Sequence, residues 1–302
     1  MGRRTSVWAS AGLLVAVAWG GLAVPAARAQ NARVSGGVNF RLVSGTFGGD
    51  QTTTIFYAPA VLRLDAGRFE FAGFFPYLSI RDGAGALSDG GWIPMQGAVS
   101  GAPSVGMPMS GGMMGGTTSP GVSSPTGALT PSKGAVLTSP SGLGDLVGTA
   151  GYRVVDNLLT GVQVVVSARV KFPTASVREG LGTGRTDVGG AASVRKRFGS
   201  GWLYGELGYI VLGEPAGTDL KNAVTWSVGG GKRLTSRMFL LASAFGNSAV
   251  LSGYGSPAEV GAGLGIRLAD HVNLTAIPSV GLSHASPQYG VTVGLSTDLW
   301  RR

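Results

Sequence analysis

The final stretch of the chain, residues 289–300, alternates between apolar and small or polar side chains. Tyr289, Val291, Val293, Leu295 and Leu299 share one parity, whereas glycine, threonine, serine and aspartate occupy the other parity up to position 298. Successive side chains of a β-strand point to opposite faces, so this period of two predicts a strand with one apolar and one polar face. The same pattern recurs along the chain and predicts a sheet whose two faces meet different surroundings.

The N-terminus has the three parts of a secretory signal peptide. Two arginines precede an apolar run from about Leu13 to Val24, and Ala-Arg-Ala at 27–29 supplies the small residues of a cleavage site. A membrane anchor is the alternative, although the run is short and interrupted by two glycines. We expect residues 1–29 to be removed on export and residues 30–302 to form the mature protein.

The amino-acid composition further narrows the class of fold that this chain can adopt. Beyond the signal, no segment offers the ~20 consecutive apolar residues of a membrane helix. A chain that enters a membrane without such helices needs a closed β-barrel, since only closure pairs every backbone group. The chain has no cysteine, which excludes disulfides and thiolate metal sites, and its 53 glycines suit a curved wall with small residues.

The charge balance is basic but does not point to nucleic acid. Loss of Arg3, Arg4 and Arg28 with the signal lowers the formal net charge from +9 to +6. The remaining cations are scattered singly through predicted strands and form no continuous stripe. We therefore expect no nucleic-acid partner.

Alternation and turn residues predict twelve strands separated by alternately short and long connections. Short turns on one side and long loops on the other are typical of bacterial outer-membrane barrels, and an even strand number brings both termini to the short-turn side. The fold class is therefore all-β, a closed antiparallel transmembrane β-barrel of about twelve strands. The predicted strands span about 34–43, 54–65, 68–80, 143–154, 158–172, 184–198, 201–212, 223–234, 237–248, 257–268, 271–283 and 287–300.

Charged residues within these strands fall almost entirely on the non-apolar parity. An Arg or Lys facing the bilayer midplane costs ~2–4 kcal/mol, so this distribution indicates a polar lumen. Lys196 is the main exception, and the third strand is ambiguous because phenylalanines occupy both of its faces. The predicted lumen lining is Arg153, Arg169, Lys171, Arg195, Glu206, Arg233, Glu259, Arg267 and Asp298. Arg63, Glu70, Asp145, Asp187 and Arg197 share the same parity.

Residues 81–142 form a long insertion rich in glycine, serine, proline and methionine. This composition buries too little apolar area to offset chain entropy, so it predicts a disordered extracellular loop. Met107, Met109, Met113 and Met114 would suit Cu(I), but no histidine or cysteine accompanies them. We predict no metal and no cofactor.

Three motifs are predicted to meet at the extracellular rim. They are Gly-Leu-Gly-Asp at 142–145, Phe-Pro-Thr at 172–174 and Gly-Thr-Gly-Arg-Thr-Asp at 182–187. Asp145, Pro173, Arg185 and Asp187 are the candidate rim residues. Asp145, Arg185 and Asp187 could form ion pairs that hold a loop over the extracellular opening of the barrel, as a substrate gate. The alternative is that they are solvated turn residues.

These motifs also support a family resemblance. Together with Phe-Pro-Tyr-Leu at 75–78, Gly-Glu-Leu-Gly-Tyr at 205–209 and the stretch at 286–295, they resemble the outer-membrane family named for the MetA pathway of phenol degradation. The resemblance covers most of the mature chain apart from the insertion. It implies an outer-membrane barrel that passes hydrophobic or aromatic small molecules.

A hydrolase is a less favoured interpretation. The sequence His284-Ala-Ser286 resembles the His-x-Ser of a lipid A deacylase, and Asp298 follows it. Twelve residues of extended strand separate Ser286 from Asp298 by ~40 Å, whereas a triad needs contacts of ~3 Å. Glu179, or a residue of another loop, remains an alternative partner for His284.

The sequence thus predicts an outer-membrane β-barrel channel for passive uptake of small molecules, with no enzymatic activity. Its predicted partners are outer-membrane lipid, the barrel-assembly machinery and a small-molecule solute. The alternatives are a structural or surface-display barrel without transport and, less favoured, a lipid hydrolase that uses His284.

Overall fold

The computed structural model describes residues 32–47, 52–81, 140–177, 181–214, 220–250 and 255–301. The predicted signal peptide and residues 82–139 of the predicted insertion lie outside these ranges. Within the described ranges, no helix has the length and apolar character needed to cross a membrane.

The described residues form thirteen β-strands. Most are 10–14 residues long, which matches the ~9–11 residues that a tilted strand needs to cross a bilayer. The strands are β1 Ala32–Gly45, β2 Thr53–Ala66, β3 Phe69–Arg81, β4 Ser141–Leu143, β5 Leu146–Asn157, β6 Val162–Phe172, β7 Asp187–Phe198, β8 Gly201–Val211, β9 Ala223–Arg233, β10 Met238–Asn247, β11 Ala258–Ala269, β12 Val272–Gly281 and β13 Tyr289–Arg301.

The sheet closes on itself. Each long strand pairs antiparallel with its neighbours, and β1 pairs with β13 over a register that includes Val38 opposite Leu295. The short β4 pairs with β3 alone and lies in line with β5, so the wall has twelve strand positions. The predicted closed antiparallel barrel of about twelve strands is confirmed.

A bulge separates β4 from β5. Tyr77 of β3 lies opposite Leu143, and Phe74 lies opposite Val147, so the β4–β5 side holds one extra residue. Pro76 has no N–H to offer the ladder, whereas its carbonyl accepts a hydrogen bond from the Gly144 N–H at 2.9 Å. The bulge turns Asp145 toward the barrel interior, where it is buried.

The connections follow the predicted alternation, with one turn displaced. Strand β5 continues to Asn157, three residues beyond the predicted end, because a register shift between Arg153 and Val155 accommodates an extra residue. Asn157 Oδ1 accepts hydrogen bonds from the N–H groups of Leu159 and Thr160, both at 3.0 Å, and Gly161 completes the turn at φ +68°. The predicted turn at 155–157 is therefore wrong, and the observed one lies at 158–161.

The two faces of the wall differ as the alternation predicts. Large apolar residues are exposed on the outer face, and most buried charged residues lie on the inner face. On β3, whose faces the sequence left ambiguous, Glu70 and Leu78 face inward while Phe69 and Phe75 are exposed. Exposed aromatic residues occur near both strand ends: Tyr77, Phe172, Tyr209 and Tyr289 at the long-connection end, and Phe69, Tyr152, Phe198 and Trp300 at the short-turn end.

Candidate functional site

A buried lysine lies at the long-connection end of the barrel. Lys171 near the end of β6 is 2% exposed, and its Nζ is 3.2 Å from Asp145 Oδ2 and 2.8 Å from Asp187 Oδ2. The same Nζ donates a hydrogen bond to Thr183 Oγ1 at 3.1 Å. We call these four residues the Lys171 cluster. It joins the bulge before β5, the end of β6 and the start of β7.

The three predicted rim motifs meet around this cluster. Thr174 Oγ1 accepts a hydrogen bond from the Leu146 N–H at 2.9 Å and donates one to the Gly144 carbonyl at 3.2 Å. The Ala175 N–H donates to Asp145 Oδ1 at 2.9 Å. The chain that leaves β6 is therefore bound to the bulge by its backbone as well as by the ion pairs.

Two of the predicted rim residues lie outside the cluster. Arg185 and Pro173 are exposed, and the cation between the two acids is Lys171 rather than Arg185. The backbone N–H of Arg185 donates a hydrogen bond to Thr183 Oγ1 at 3.3 Å. The pairing of Asp145 with Asp187 through Arg185, one of the sequence-based alternatives, is thus replaced by pairing through Lys171.

An apolar cluster lies across the same end of the barrel. Its buried residues come from the ends of β1, β2, β3, β8 and β9 and from five connections, so they approach from most of the circumference and pack together. Phe47 reaches it from a left-handed backbone conformation at φ +50°, which is uncommon for a bulky residue. We call it the mouth cluster: Val43, Phe47, Ile55, Leu78, Ile80, Ala175, Leu181, Ile210, Leu212, Leu220, Ala223, Val250 and Ala285.

Below the mouth cluster, Arg41 forms a buried ion pair that the sequence-based list missed. Arg41 Nη2 on β1 lies 2.6 Å from Glu259 Oε2 on β11, and Ser279 Oγ of β12 donates to the same oxygen at 3.2 Å. The Arg41 guanidinium also lies 5.5 Å from the ring centroid of Phe245. The inner parity of β1 could have identified Arg41, because Arg41 alternates with Phe40 and Leu42, which are exposed.

Arg153 organises a second network toward the short-turn end. Its Nε is 2.5 Å from Glu70 Oε1, its Nη2 is 3.2 Å from Asp65 Oδ1, and its Nη1 is 3.9 Å from Asp156 Oδ2. Arg153 Nη1 also donates to the Gly67 carbonyl at 3.0 Å. One cation therefore holds three acids from β2, β3 and β5.

The other predicted lumen residues differ in their burial. Arg169 and Glu206 are buried on the inner parity and interact electrostatically with each other. Arg195 is half-buried, and its Nη1 donates to Gln163 Oε1 at 2.8 Å. Arg267 is half-buried and Arg233 is exposed, both at the short-turn end.

The residues of the hydrolase interpretation do not come together. Asp298 pairs with Arg33 at the short-turn end of β13. Ser286, at the opposite end, donates its hydroxyl hydrogen to the Ala258 carbonyl at 2.7 Å and accepts from the Ala258 N–H at 2.8 Å, while His284 is exposed. Glu179 lies outside the described residues. In the part of the chain that the structure describes, no group of three His, Cys, Asp or Glu side chains could hold a metal ion.

Aromatic rings lie flat against inward-facing glycines, a feature that sequence reasoning missed. A Cβ added to Gly265 of β11 would overlap the Phe239 ring, and one added to Gly231 of β9 would overlap the Trp202 indole. Trp202 and Phe239 are 4% and 1% exposed and pack together with Leu241. These glycines therefore make room for rings that would otherwise project into the interior.

Solved structures share this architecture. No family model matches the sequence, and no curated protein does so either. An outer-membrane channel from Pseudomonas putida F1 superposes with a TM-score of 0.59 at 12% identity over 89% of this chain and 96% of that chain. The NanC porin gives a TM-score of 0.48 at 7% identity and covers 88% of this chain and 100% of its own. The CymD monoaromatic hydrocarbon channel gives a TM-score of 0.45 at 6% identity and covers 88% of each chain.

At such low identity, the likeness to the Pseudomonas putida channel shows the fold alone. The protein is a β-barrel with the fold of an outer-membrane channel. The resemblance to the MetA-pathway family stays a prediction.

Proposed function

We propose that this protein is an outer-membrane channel through which small molecules diffuse passively. The observation that supports it most directly is the division of side chains between the two faces of a closed wall. The outer face exposes large apolar residues, such as Val166, Leu207 and Val293, whereas most buried charged residues lie on the inner face. A closed barrel with this division satisfies its backbone within lipid and keeps its charged side chains away from the acyl chains.

The exceptions to this division are compatible with a membrane. Lys196 is exposed on the outer face near the short-turn end of β7, and its Nζ donates to the Thr160 carbonyl at 2.8 Å. Long cationic side chains near a strand end can reach the polar interface while their stems stay in the apolar layer. Two groups of exposed aromatic residues near the strand ends correspond to the girdles of membrane barrels. Outer-membrane lipid and the barrel-assembly machinery are the partners that this location requires.

The substrates that we propose are small hydrophobic or aromatic molecules. The family resemblance favours them, and the mouth cluster places apolar side chains at the end of the barrel where solutes would enter. Beyond that cluster, a solute would pass between charged walls lined by residues such as Arg169, Arg195 and Glu206. In this proposal Arg153, Glu259, Arg267, Arg233 and Asp298 line the rest of the lumen.

Bilayer recordings and uptake assays test the channel. Purified mature protein in a planar bilayer should produce stable ion-permeable steps, and a deletion strain should take up aromatic solutes more slowly than its complemented parent. A silent bilayer together with unchanged entry of both hydrophilic and hydrophobic compounds would contradict the proposal.

A barrel that serves as a structural or surface-display scaffold is the second candidate. The mouth cluster favours it, because thirteen buried apolar residues packed across one end would block a passive path. Truncating that cluster separates the two candidates. A channel gains conductance when the cluster is loosened, whereas a scaffold whose interior is filled throughout stays silent.

A further inference from the structure

Two lysines lie on the outer face of the barrel near its short-turn end. Lys196 on β7 and Lys232 on β9 are both exposed and share the parity of the exposed apolar residues of their strands. Only β8 separates these strands, and on β8 Lys196 lies opposite Leu203 and Lys232 opposite Gly201. Two strand spacings and an offset of two residues put the two Cα atoms ~12 Å apart on one face.

The surface between the two lysines is apolar. A Cβ added to Gly201 would lie 3.0 Å from Phe198 Cε2, and one added to Gly230 would lie 2.7 Å from Leu203 Cδ2. The Phe198 ring and the Leu203 side chain therefore lie over neighbouring glycines, and they are 51% and 53% exposed. An exposed apolar floor between two cations suits a molecule that has an anionic head and apolar tails.

The position of the lysines along the strands matches the polar boundary of a membrane. Lys196 Nζ donates a hydrogen bond to the Thr160 carbonyl at 2.8 Å, in the turn between β5 and β6, so its ammonium group extends toward the short-turn end. Phe198 belongs to the exposed aromatic residues of that same end. Aromatic residues of membrane barrels lie at the interfaces, and long cationic side chains reach into the headgroup layer.

No acid of the described strands shares this outer face. Each strand acid lies on the inner parity, where most are buried or paired with an arginine: Asp65, Glu70, Asp156, Asp187, Glu206, Glu259 and Asp298. The turns at the short-turn end add the exposed cations Arg68 and Arg237 against the exposed acid Asp270. A cationic surface at the edge of a membrane attracts anionic lipids.

We infer that the outer face between Lys196 and Lys232 binds an anionic phospholipid of the periplasmic leaflet. Its phosphodiester accepts hydrogen bonds from the two ammonium groups, and its acyl chains lie on Phe198 and Leu203. An acidic periplasmic protein fits less well, because both lysines project sideways from the wall into the lipid layer rather than below the barrel. The inference rests on the proposed membrane location, and it does not require that the barrel conducts.

A fluorescent label between the two lysines reports which lipid occupies the site. The chain has no cysteine, so Leu203→Cys gives the full mature protein a single site for a bimane label. The labelled protein is placed in phosphatidylcholine vesicles that contain a minor fraction of brominated lipid, which quenches bimane on contact. Brominated phosphatidylglycerol should quench at a mole fraction about tenfold lower than brominated phosphatidylcholine, since each cation contributes up to about a fivefold preference.

A second label position tests whether the preference is local. Leu295 on β13 lies opposite Leu274, the third residue of β12, just as Leu203 is the third residue of β8. The strands around it, β11 to β13, β1 and β2, contain no lysine. Bimane on Leu295→Cys should therefore be quenched by both brominated lipids at similar mole fractions. An equal preference for phosphatidylglycerol at both positions would overturn the local site.

The lysine variants identify the groups that bind the lipid. Lys196→Met and Lys232→Met should each lower the preference for phosphatidylglycerol at position 203 about fivefold, and the double variant should abolish it. Lys221→Met removes an exposed lysine from the long-connection end and should leave the preference unchanged. Quenching of the label at position 295 in every variant shows that each one is folded in the vesicle. A preference that survives in the double variant would overturn the role of the lysines.

The parent protein separates failure of the site from failure of the membrane location. Equal quenching by both lipids at position 203 would overturn the lipid site and leave an acidic periplasmic protein as the occupant. Quenching of neither label would mean that lipid does not cover the outer face, which would overturn the site together with the membrane barrel. A preference for phosphatidylglycerol in a protein that is silent in bilayers would remove the channel and keep the site.

Discussion

Lys171 Nζ lies 2.8 Å from Asp187 Oδ2, and the two residues face each other across the β6–β7 ladder at the long-connection end of the barrel. Asp145 contacts the same nitrogen from the other side at 3.2 Å. Loss of one partner from such a buried group leaves uncompensated charge. We predict that Lys171→Met lowers the free energy of unfolding by about 3–5 kcal/mol, measured by urea titration in lipid vesicles.

Two further variants define the cause of that loss. Lys196→Met removes an exposed lysine from the outer face and should change stability by less than about 1 kcal/mol. Adding Asp145→Asn and Asp187→Asn to Lys171→Met removes the stranded charges and should restore most of the stability. A Lys171→Met variant as stable as the parent protein, or a triple variant no more stable than Lys171→Met, would contradict this explanation.

Truncation of the mouth cluster should open the barrel. Leu78 is fully buried in this cluster at 0% exposed, so Leu78→Ala leaves a cavity and costs about 2–5 kcal/mol of stability. We predict larger single-channel conductance for this variant, because an apolar obstruction is thinned. Leu143→Ala, at a position that is 72% exposed, is the matched control and should leave conductance unchanged. Identical currents from both variants would place the obstruction elsewhere.

Gly265 should tolerate no side chain while Phe239 is present. The added methyl of Gly265→Ala would overlap the Phe239 ring, and overpacking of this kind costs about 1–3 kcal/mol. Gly205→Ala is the control, since its Cβ would meet only the Ser227 carbonyl oxygen at 4.0 Å. Combining Gly265→Ala with Phe239→Leu should recover part of the loss. No recovery in the double variant would mean that the backbone, rather than the ring, restricts Gly265.

Introducing a charged residue on the outer face of the barrel tests whether lipid covers that face. Val166 lies in the middle of β6 and is 45% exposed, and Val166→Arg should destabilise the barrel in lipid vesicles by ~2–4 kcal/mol. Leu159, which is 99% exposed in the turn before β6, provides the control, and Leu159→Arg should cost little. Equal stability of the two variants in vesicles would indicate that Val166 faces water.

The alternation of apolar and polar residues predicted the strands of the barrel wall well, because each strand of a closed barrel faces two different media along its whole length. It placed Arg169 and Lys171 on the inner face and Lys196 on the outer one, in agreement with their burial. The turn after β5 was misplaced because the irregular register near Val155 breaks the period of two locally.

Contacts between distant strands were beyond the reach of the sequence. Leu78 and Ile55 are apolar yet face inward, because they pack on connections from the opposite wall rather than on lipid. The register that puts Lys171 opposite Asp187 likewise depends on how neighbouring strands align. The motifs at 142–145, 172–174 and 182–187 were correctly expected to meet, but which cation would join the acids was not predictable.

Closure of the wall between the first and last strands can be tested directly by cross-linking in isolated outer membranes. The chain has no cysteine, so Val38→Cys with Leu295→Cys introduces a single pair across the β1–β13 ladder, and Val38→Cys with Leu274→Cys places the second thiol one strand further away. Mild oxidation should form an intrachain disulfide in the first double variant, which is detected as a shift in gel mobility that a reductant reverses. The same treatment should leave the gel mobility of the second double variant unchanged. Absence of the cross-link in the first variant, or its presence only in a water-soluble fraction, would contradict a closed barrel in the membrane.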